Sequence, residues 1–146
     1  MEKRQATILL VEDDDVDAET VERGLKGARI EGILVRARDG VEALDMLEGR
    51  HGQTKIRPPF LLLVDIRMPR MDGLGLIHAV RRNVSLQRTI IFVLTTSDSE
   101  RDRLAAYNEH VAGYIIKSGS DDQYLRLAKM LEYYLSIVEL PSHAVA

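Results

Sequence analysis

The sequence contains no cysteine and no tryptophan, and it has only four prolines. Without cysteine, the chain forms no disulfide, offers no thiolate ligand to a metal and has no thiol nucleophile. No apolar run approaches the roughly 18 residues that a membrane-spanning helix needs. The segment Glu2–Gln5 is polar, and no signal-like apolar core follows it. We therefore expect a cytoplasmic protein without a membrane segment.

Neither sign of charge dominates the sequence. Twenty lysines and arginines face 23 aspartates and glutamates, which gives a net charge of −3. A global field that attracts nucleic acid is therefore absent, and we expect no nucleic-acid partner. With 146 residues, of which 45% are hydrophobic, the chain can bury the core of one domain but not of two. We assign residues 1–141 to that domain and residues 142–146 to a C-terminal tail.

Short apolar runs typical of β-strands alternate with stretches typical of helices along the whole chain. The strands are predicted at Thr7–Val11, Ile33–Ala37, Phe60–Val64, Thr89–Leu94 and Gly113–Ile116. The helices are predicted at Asp15–Gly27, Val41–Leu47, Leu74–Arg82, Glu100–Asn108 and from Ser120 to Glu139. This alternation predicts an α/β fold, with five helices around a doubly wound, five-stranded parallel sheet of order 2-1-3-4-5. We expect Asp15 and Asp98 to cap the first and fourth helices, and Ser120 with Gln123 to form a capping box on the fifth.

The fifth predicted helix has apolar residues on two faces. One stripe is sufficient to face a core, and it consists of Tyr124, Leu127, Ala128, Leu131, Leu135 and Val138. A second stripe lies off that face and consists of Met130, Tyr133, Ile137 and Leu140. Because the last helix of a small domain is seldom deeply buried, we interpret the second stripe as an interface with another chain.

Polar side chains stand where the predicted strands end. Glu12 and Asp13 follow the first strand, Asp65 the third, Thr95 the fourth and Lys117 the fifth. In a doubly wound sheet of this order, these ends meet at one edge, where such sheets bind their ligands. Clustered carboxylates repel one another unless a cation lies between them. Oxygen ligands without histidine or cysteine favour Mg²⁺, whose open coordination position would accept a phosphate oxygen.

Two further patterns accompany these residues. The segment Met68–Gly73, MPRMDG, follows Asp65 closely, and 22 positions separate Thr95 from Lys117. Together with the acidic pair after the first strand, they resemble the receiver domain of bacterial two-component response regulators, the family of the chemotaxis regulators. The resemblance covers nearly the whole chain and implies a flavodoxin-like receiver fold.

The resemblance also implies roles for the polar residues. Asp65 would attack a phosphohistidine on a sensor histidine kinase and carry the phosphoryl group as an acyl phosphate. Asp13 and Asp65 would ligate Mg²⁺ together with the backbone carbonyl of Arg67, while Glu12 would hold the ion through water. The metal would neutralise the charge that develops on the transferred group.

Two residues would report the phosphorylation in such a protein. Lys117 would pair with a phosphoryl oxygen, and Thr95 would donate a hydrogen bond to another. In the family, the residue at Thr95 moves inward on phosphorylation and the aromatic residue on the fifth strand, here Tyr114, rotates with it. From the residues alone, Tyr114 is equally compatible with a static aromatic at the edge of the core.

The sequence departs from the family pattern at three positions. Ser118 follows Lys117 where the family usually has a proline in a cis peptide, so we expect a trans peptide or a rearranged loop. His110 stands where the family often has a helix-ending glycine, so a left-handed backbone there would be strained. Arg67 lies two residues after Asp65, and its guanidinium would pair either with phosphate or with Glu12.

These observations predict a single-domain response regulator that is not an enzyme beyond its own phosphorylation and dephosphorylation. Because the chain ends soon after the fifth helix, we expect its output to be a protein contact. The extended last helix looks like that of regulators paired with bacterial phytochrome kinases, which often form homodimers through the side of the fourth and fifth helices.

Two alternatives from other classes stay open. An aspartate-nucleophile phosphohydrolase typically has a second aspartate two residues after the nucleophile, where this chain has Arg67. A receiver-like dimerisation module would work without phosphorylation, although the retained Asp13, Asp65, Thr95 and Lys117 argue against it.

Overall fold

The fold is described by a computed structural model for residues 5–30 and 32–141. The predicted C-terminal tail, residues 142–146, lies outside the described residues. The strands are β1 (Ala6–Val11), β2 (Gly32–Ala37), β3 (Phe60–Val64), β4 (Ile90–Thr95) and β5 (Gly113–Ile116). The helices are α1 (Asp15–Lys26), α2 (Gly40–Glu48), α3 (Gly73–Arg82), α4 (Glu100–Asn108) and α5 (Asp121–Ile137).

The strands form one parallel sheet in the order β2-β1-β3-β4-β5, as predicted. Every residue of the central strand β3 is buried, because helices cover both faces of the sheet. Leu9 and Leu62 face the core layer beneath α2, α3 and α4. Ile8 and Leu61 face the layer beneath α1 and α5. The alternation of side chains along each strand thus assigns neighbouring residues to opposite cores.

Three predicted helix caps differ from the structure. Asp14, not Asp15, caps α1 and accepts a hydrogen bond from the N–H of Asp17. Ser99, not Asp98, caps α4 and accepts from the N–H of Asp102. In each case, adjacent residues are equally able to cap, and the extended backbone of one of them decides which does. Ser120 is the cap residue of α5, but its side chain makes no capping hydrogen bond.

Two expected departures from the family pattern involve the backbone. His110 has a φ of 60°, so the chain leaves α4 through a left-handed residue that is not glycine. Within the two described ranges the cis peptide is Pro58–Pro59, and the Lys117–Ser118 peptide is trans. The expected trans peptide after Lys117 is confirmed, whereas the strain expected at a left-handed His110 stays a prediction.

The long helix α5 buries the face that its sequence predicts, because Tyr124, Leu127, Ala128 and Leu131 all lie in the core. On the second apolar stripe, Tyr133 is 65% exposed and Ile137 is 74% exposed. Met130 is half-buried against the core, and Leu140 is also half-buried. Within the described ranges, no helix combines the length and the apolarity needed to cross a bilayer.

Candidate functional site

Asp65 is the first residue beyond the central strand, and it anchors the site. Its N–H donates to the carbonyl of Val11 at 3.0 Å, which extends the pairing of β1 and β3 by one residue. Its side chain is buried, and Oδ1 accepts from the N–H of Arg67 at 3.1 Å. A Cβ atom on Gly73 would overlap the carbonyl oxygen of Asp65, so glycine allows the start of α3 to approach this residue.

Lys117 follows β5, and its side chain reaches Asp65 at the same edge of the sheet. Its ammonium donates to Glu12 at 2.6 Å, to Asp17 at 2.8 Å and to Asp65 at 2.9 Å. Lys117, Glu12 and Asp65 are all buried. The structure therefore brings together three residues that the sequence analysis predicted to meet, and it adds Asp17 to them.

Burial and charge shift the protonation of this cluster. Burial raises the pKa of Glu12 to about 7, with Asp65 contributing to the increase and Lys117 opposing it. Burial alone would lower the pKa of Lys117, but its hydrogen bonds to Asp17, Glu12 and Asp65 outweigh burial and raise it. Lys117 is therefore positively charged throughout the physiological range.

The acidic residues offer a donor set for a divalent cation. One carboxylate oxygen from each of Glu12, Asp13 and Asp65 lies within 4.8 Å of the others. Asp13 is exposed, while the other two are buried. Hard oxygen donors that are open to solvent on one side fit Mg²⁺ or Mn²⁺, which retain water ligands. The donors of this site therefore fit the metal that the sequence predicts.

Thr95 and Tyr114, the two predicted switch residues, contact the same loop. Thr95 is fully buried at the end of β4, and its Oγ1 accepts from the N–H of Ser97 at 3.3 Å. The hydroxyl of Tyr114 donates to the carbonyl of Ser97 at 2.8 Å. Ser97 thus connects the two side chains across the loop between β4 and α4.

The guanidinium of Arg67 lies at the rim of the site and, among the described residues, pairs with Asp102 and not with Glu12, one of its two predicted partners. It donates to Asp102 of α4 at 2.9 Å, and the hydroxyl of Ser97 donates to the same carboxylate oxygen. Asp102 could not be predicted from the sequence, because 35 residues separate it from Arg67 and no local pattern joins them. A signal for Asp17 did exist, since it is an acidic residue in the first turn of α1, only a few residues after Glu12 and Asp13.

Comparisons with known proteins agree with this arrangement. The sequence model of the family described as "Response regulator receiver domain" matches residues 8–129. The response regulator Rcp1 of Synechocystis sp. is 35% identical over 137 residues, which cover 92% of this chain and 92% of the relative.

Solved structures of response regulators are also similar to this chain. The phosphorylated cyanobacterial phytochrome response regulator RcpA superposes with a TM-score of 0.87 at 31% identity, covering 95% of this chain and 100% of its own. The Mn²⁺-bound form of Rcp1 superposes with a TM-score of 0.84 at 34% identity, covering 93% of this chain and 99% of its own.

Proposed function

The chain belongs to the response regulator receiver domain family of two-component systems, and from this premise we propose that Asp65 accepts a phosphoryl group from a sensor histidine kinase. The protein would then act as a single-domain response regulator. The observation that carries the proposal is the contact of one buried ammonium, that of Lys117, with Asp65 and Glu12 at the edge of the sheet.

The transfer is a substitution at phosphorus. Oδ2 of Asp65 attacks the phosphorus of a phosphohistidine, the P–N bond breaks, and its electron pair returns to the imidazole. Lys117 donates to Oδ2 at 2.9 Å before the reaction, so it is in place to donate to a phosphoryl oxygen afterwards. Thr95 donates a hydrogen bond to another phosphoryl oxygen.

Asp13 and Asp65, together with the backbone carbonyl of Arg67, would hold Mg²⁺ directly, and Glu12 would hold it through water. The ion supplies positive charge that stabilises the transferred group. The acidic cluster of this chain and the Mn²⁺-bound form of the similar Rcp1 support a divalent metal at this position.

Ser97 is the link through which phosphorylation would reach the surface. When Thr95 turns its hydroxyl towards the phosphoryl group, its contact with the N–H of Ser97 is lost. The loop then shifts, and Tyr114, which donates to the carbonyl of Ser97, shifts with it. Because Ser97 and Tyr114 border α4, the local change in charge would alter the surface formed by α4 and β5.

The partner that we propose is a phytochrome-type kinase, because RcpA is a phytochrome response regulator and resembles this chain over 95% of its length. We further propose that the protein is cytoplasmic and forms a homodimer through the α4 and α5 side. Tyr133 and Ile137 of α5 and Leu104 of α4 are large apolar residues exposed on these two helices. Binding of nucleic acid or membranes is not part of the proposed function.

A single experiment separates this function from the two alternatives. We incubate the protein with acetyl phosphate and Mg²⁺ and measure intact mass, with Asp65→Asn as the control. One added phosphate on the wild type and none on the variant is the expected result. Absence of the adduct would favour the phosphorylation-independent module, and steady release of inorganic phosphate with rapid turnover would favour the phosphohydrolase.

A further inference from the structure

We propose that Asp17 is a positioning residue that fixes the ammonium of Lys117 for phosphoryl transfer, an inference that rests on the proposed role of Asp65. The ammonium of a lysine has three N–H donors. In this structure, three carboxylates from three elements accept from it: Glu12 after β1, Asp17 in α1 and Asp65 after β3. Each N–H donor therefore has its own carboxylate acceptor, and together the three acceptors fix the orientation of the ammonium.

Asp17 is itself held in place by the start of its helix. Its N–H donates to Oδ1 of the capping residue Asp14 at 2.9 Å, and its carboxylate lies in the first turn, where the helix dipole stabilises negative charge. The acidic cluster suited to a metal comprises Glu12, Asp13 and Asp65. Asp17 is not one of these three donors, and its carboxylate accepts a hydrogen bond from the ammonium of Lys117.

A phosphoryl group on Oδ2 of Asp65 changes only one of the three contacts. The N–H that now points at Oδ2 would turn to a phosphoryl oxygen, while the contacts with Glu12 and Asp17 persist. Because the stem of lysine is flexible, loss of one anchor would let the ammonium adopt other rotamers. Asp17 thus keeps the donor directed at the place where charge develops.

A purely electrostatic role for Asp17 predicts the opposite result. Removal of one negative charge would strengthen the attraction between this site and an anionic phosphodonor, and phosphorylation would become faster. The sign of the change in rate therefore distinguishes positioning from charge.

The test measures the rate of phosphate addition over a range of acetyl phosphate concentrations with saturating Mg²⁺. For Asp17→Ala we expect a maximal rate about tenfold lower, as for loss of one charge-assisted hydrogen bond, with an unchanged half-saturating concentration. Asp17→Asn retains an acceptor and should recover most of the rate. Asp15→Ala is the matched control, because Asp15 lies in the same turn but pairs with Arg36 and Arg38. A rate for Asp17→Ala at or above that of the wild type would overturn the proposal, as would equal rates for the two Asp17 variants.

A second measurement does not depend on phosphorylation. In ¹⁵N-detected NMR, the Lys117 ammonium, assigned by its absence in Lys117→Arg, should exchange slowly with water in the wild type and in Asp15→Ala. We expect faster exchange in Asp17→Ala. An unchanged signal there would overturn the positioning role even if Asp65 accepts phosphate. An absent adduct on the wild type would contradict the proposed function and, with it, the role of Asp17 in phosphoryl transfer.

Discussion

Arg67 donates from Nη2 to Oδ2 of Asp102 at 2.9 Å, and this contact joins the loop after the proposed phosphoacceptor to the first turn of α4. The hydroxyl of Ser97 donates to the same carboxylate oxygen. One carboxylate therefore holds side chains from two loops at the rim of the site. Because the guanidinium is largely exposed, the pair contributes at most about 1 kcal/mol to stability, and its effect on chemistry is the more informative measurement.

We predict that Asp102→Asn lengthens the lifetime of the phosphoryl group by about threefold, because it frees a guanidinium that can form charge-assisted hydrogen bonds with a phosphoryl oxygen. The measurement is the decay of the phosphorylated mass after acetyl phosphate is removed. Adding Arg67→Ala to this variant should abolish the gain. Asp98→Asn is the control, because it removes an exposed carboxylate from the neighbouring loop. A phosphoryl lifetime in Asp98→Asn as long as that in Asp102→Asn would contradict the prediction.

The sheet could be predicted from the sequence, because its signals are local. The apolar runs end at charged or turn-forming residues, so each strand begins and ends within one residue of its predicted bounds. The caps could not be predicted to the residue. In the run Glu12–Asp15 several side chains can accept from a helix N-terminus, and only the extended backbone of Asp14 selects it.

The polar side chains show the same limit. Gln123 was predicted to complete a capping box, but its amide accepts from Ser118 and donates to the carbonyl of Ile116, on either side of Lys117. Arg67 found a partner on a distant helix rather than near the acidic cluster. Long polar side chains reach several partners, and tertiary packing chooses among them.

The pKa of Glu12 leads to a prediction about pH. Burial raises this pKa to about 7 from 4.5, so between these values the folded protein binds more protons than the unfolded chain. Stability therefore falls as the pH rises from about 4.5 to about 7. With EDTA present, we expect the free energy of unfolding in urea to decrease over this window, and Glu12→Gln should flatten the decrease. Mg²⁺ favours the ionised carboxylate and should also flatten it. An equally steep decrease in the free energy of unfolding of Glu12→Gln would show that Glu12 does not cause this pH dependence.

Arg81, in the last turn of α3, fastens two loops to the helix. Its guanidinium donates to four backbone carbonyls, those of Gln87, Thr89, Glu109 and His110. Arg81→Met leaves these carbonyls without this donor, and we expect a loss of about 3 kcal/mol in urea unfolding. Arg81→Lys should recover less than half of the loss, because one ammonium cannot reproduce the planar fork.

The neighbouring arginine provides the control for this experiment. Arg82 is exposed, and Arg82→Met should change stability by less than about 0.5 kcal/mol. Equal losses in the Met variants of Arg81 and Arg82 would show that the carbonyl contacts do not determine the stability of this end of the sheet.

The last prediction concerns the proposed homodimer. Tyr133 and Ile137 lie one turn apart on the exposed face of α5, whereas Met130 and Leu140 are half-buried, so the first two provide most of the accessible apolar area. Tyr133→Glu combined with Ile137→Glu would place two charges in an apolar contact, and we expect sedimentation to show a monomer where the wild type is a dimer. The comparison is made with and without acetyl phosphate.

Val84→Glu is the matched control, because Val84 is also 65% exposed but lies in the loop between α3 and β4. Dissociation by the control, or a wild type that is monomeric under both conditions, would exclude this face as the dimer interface.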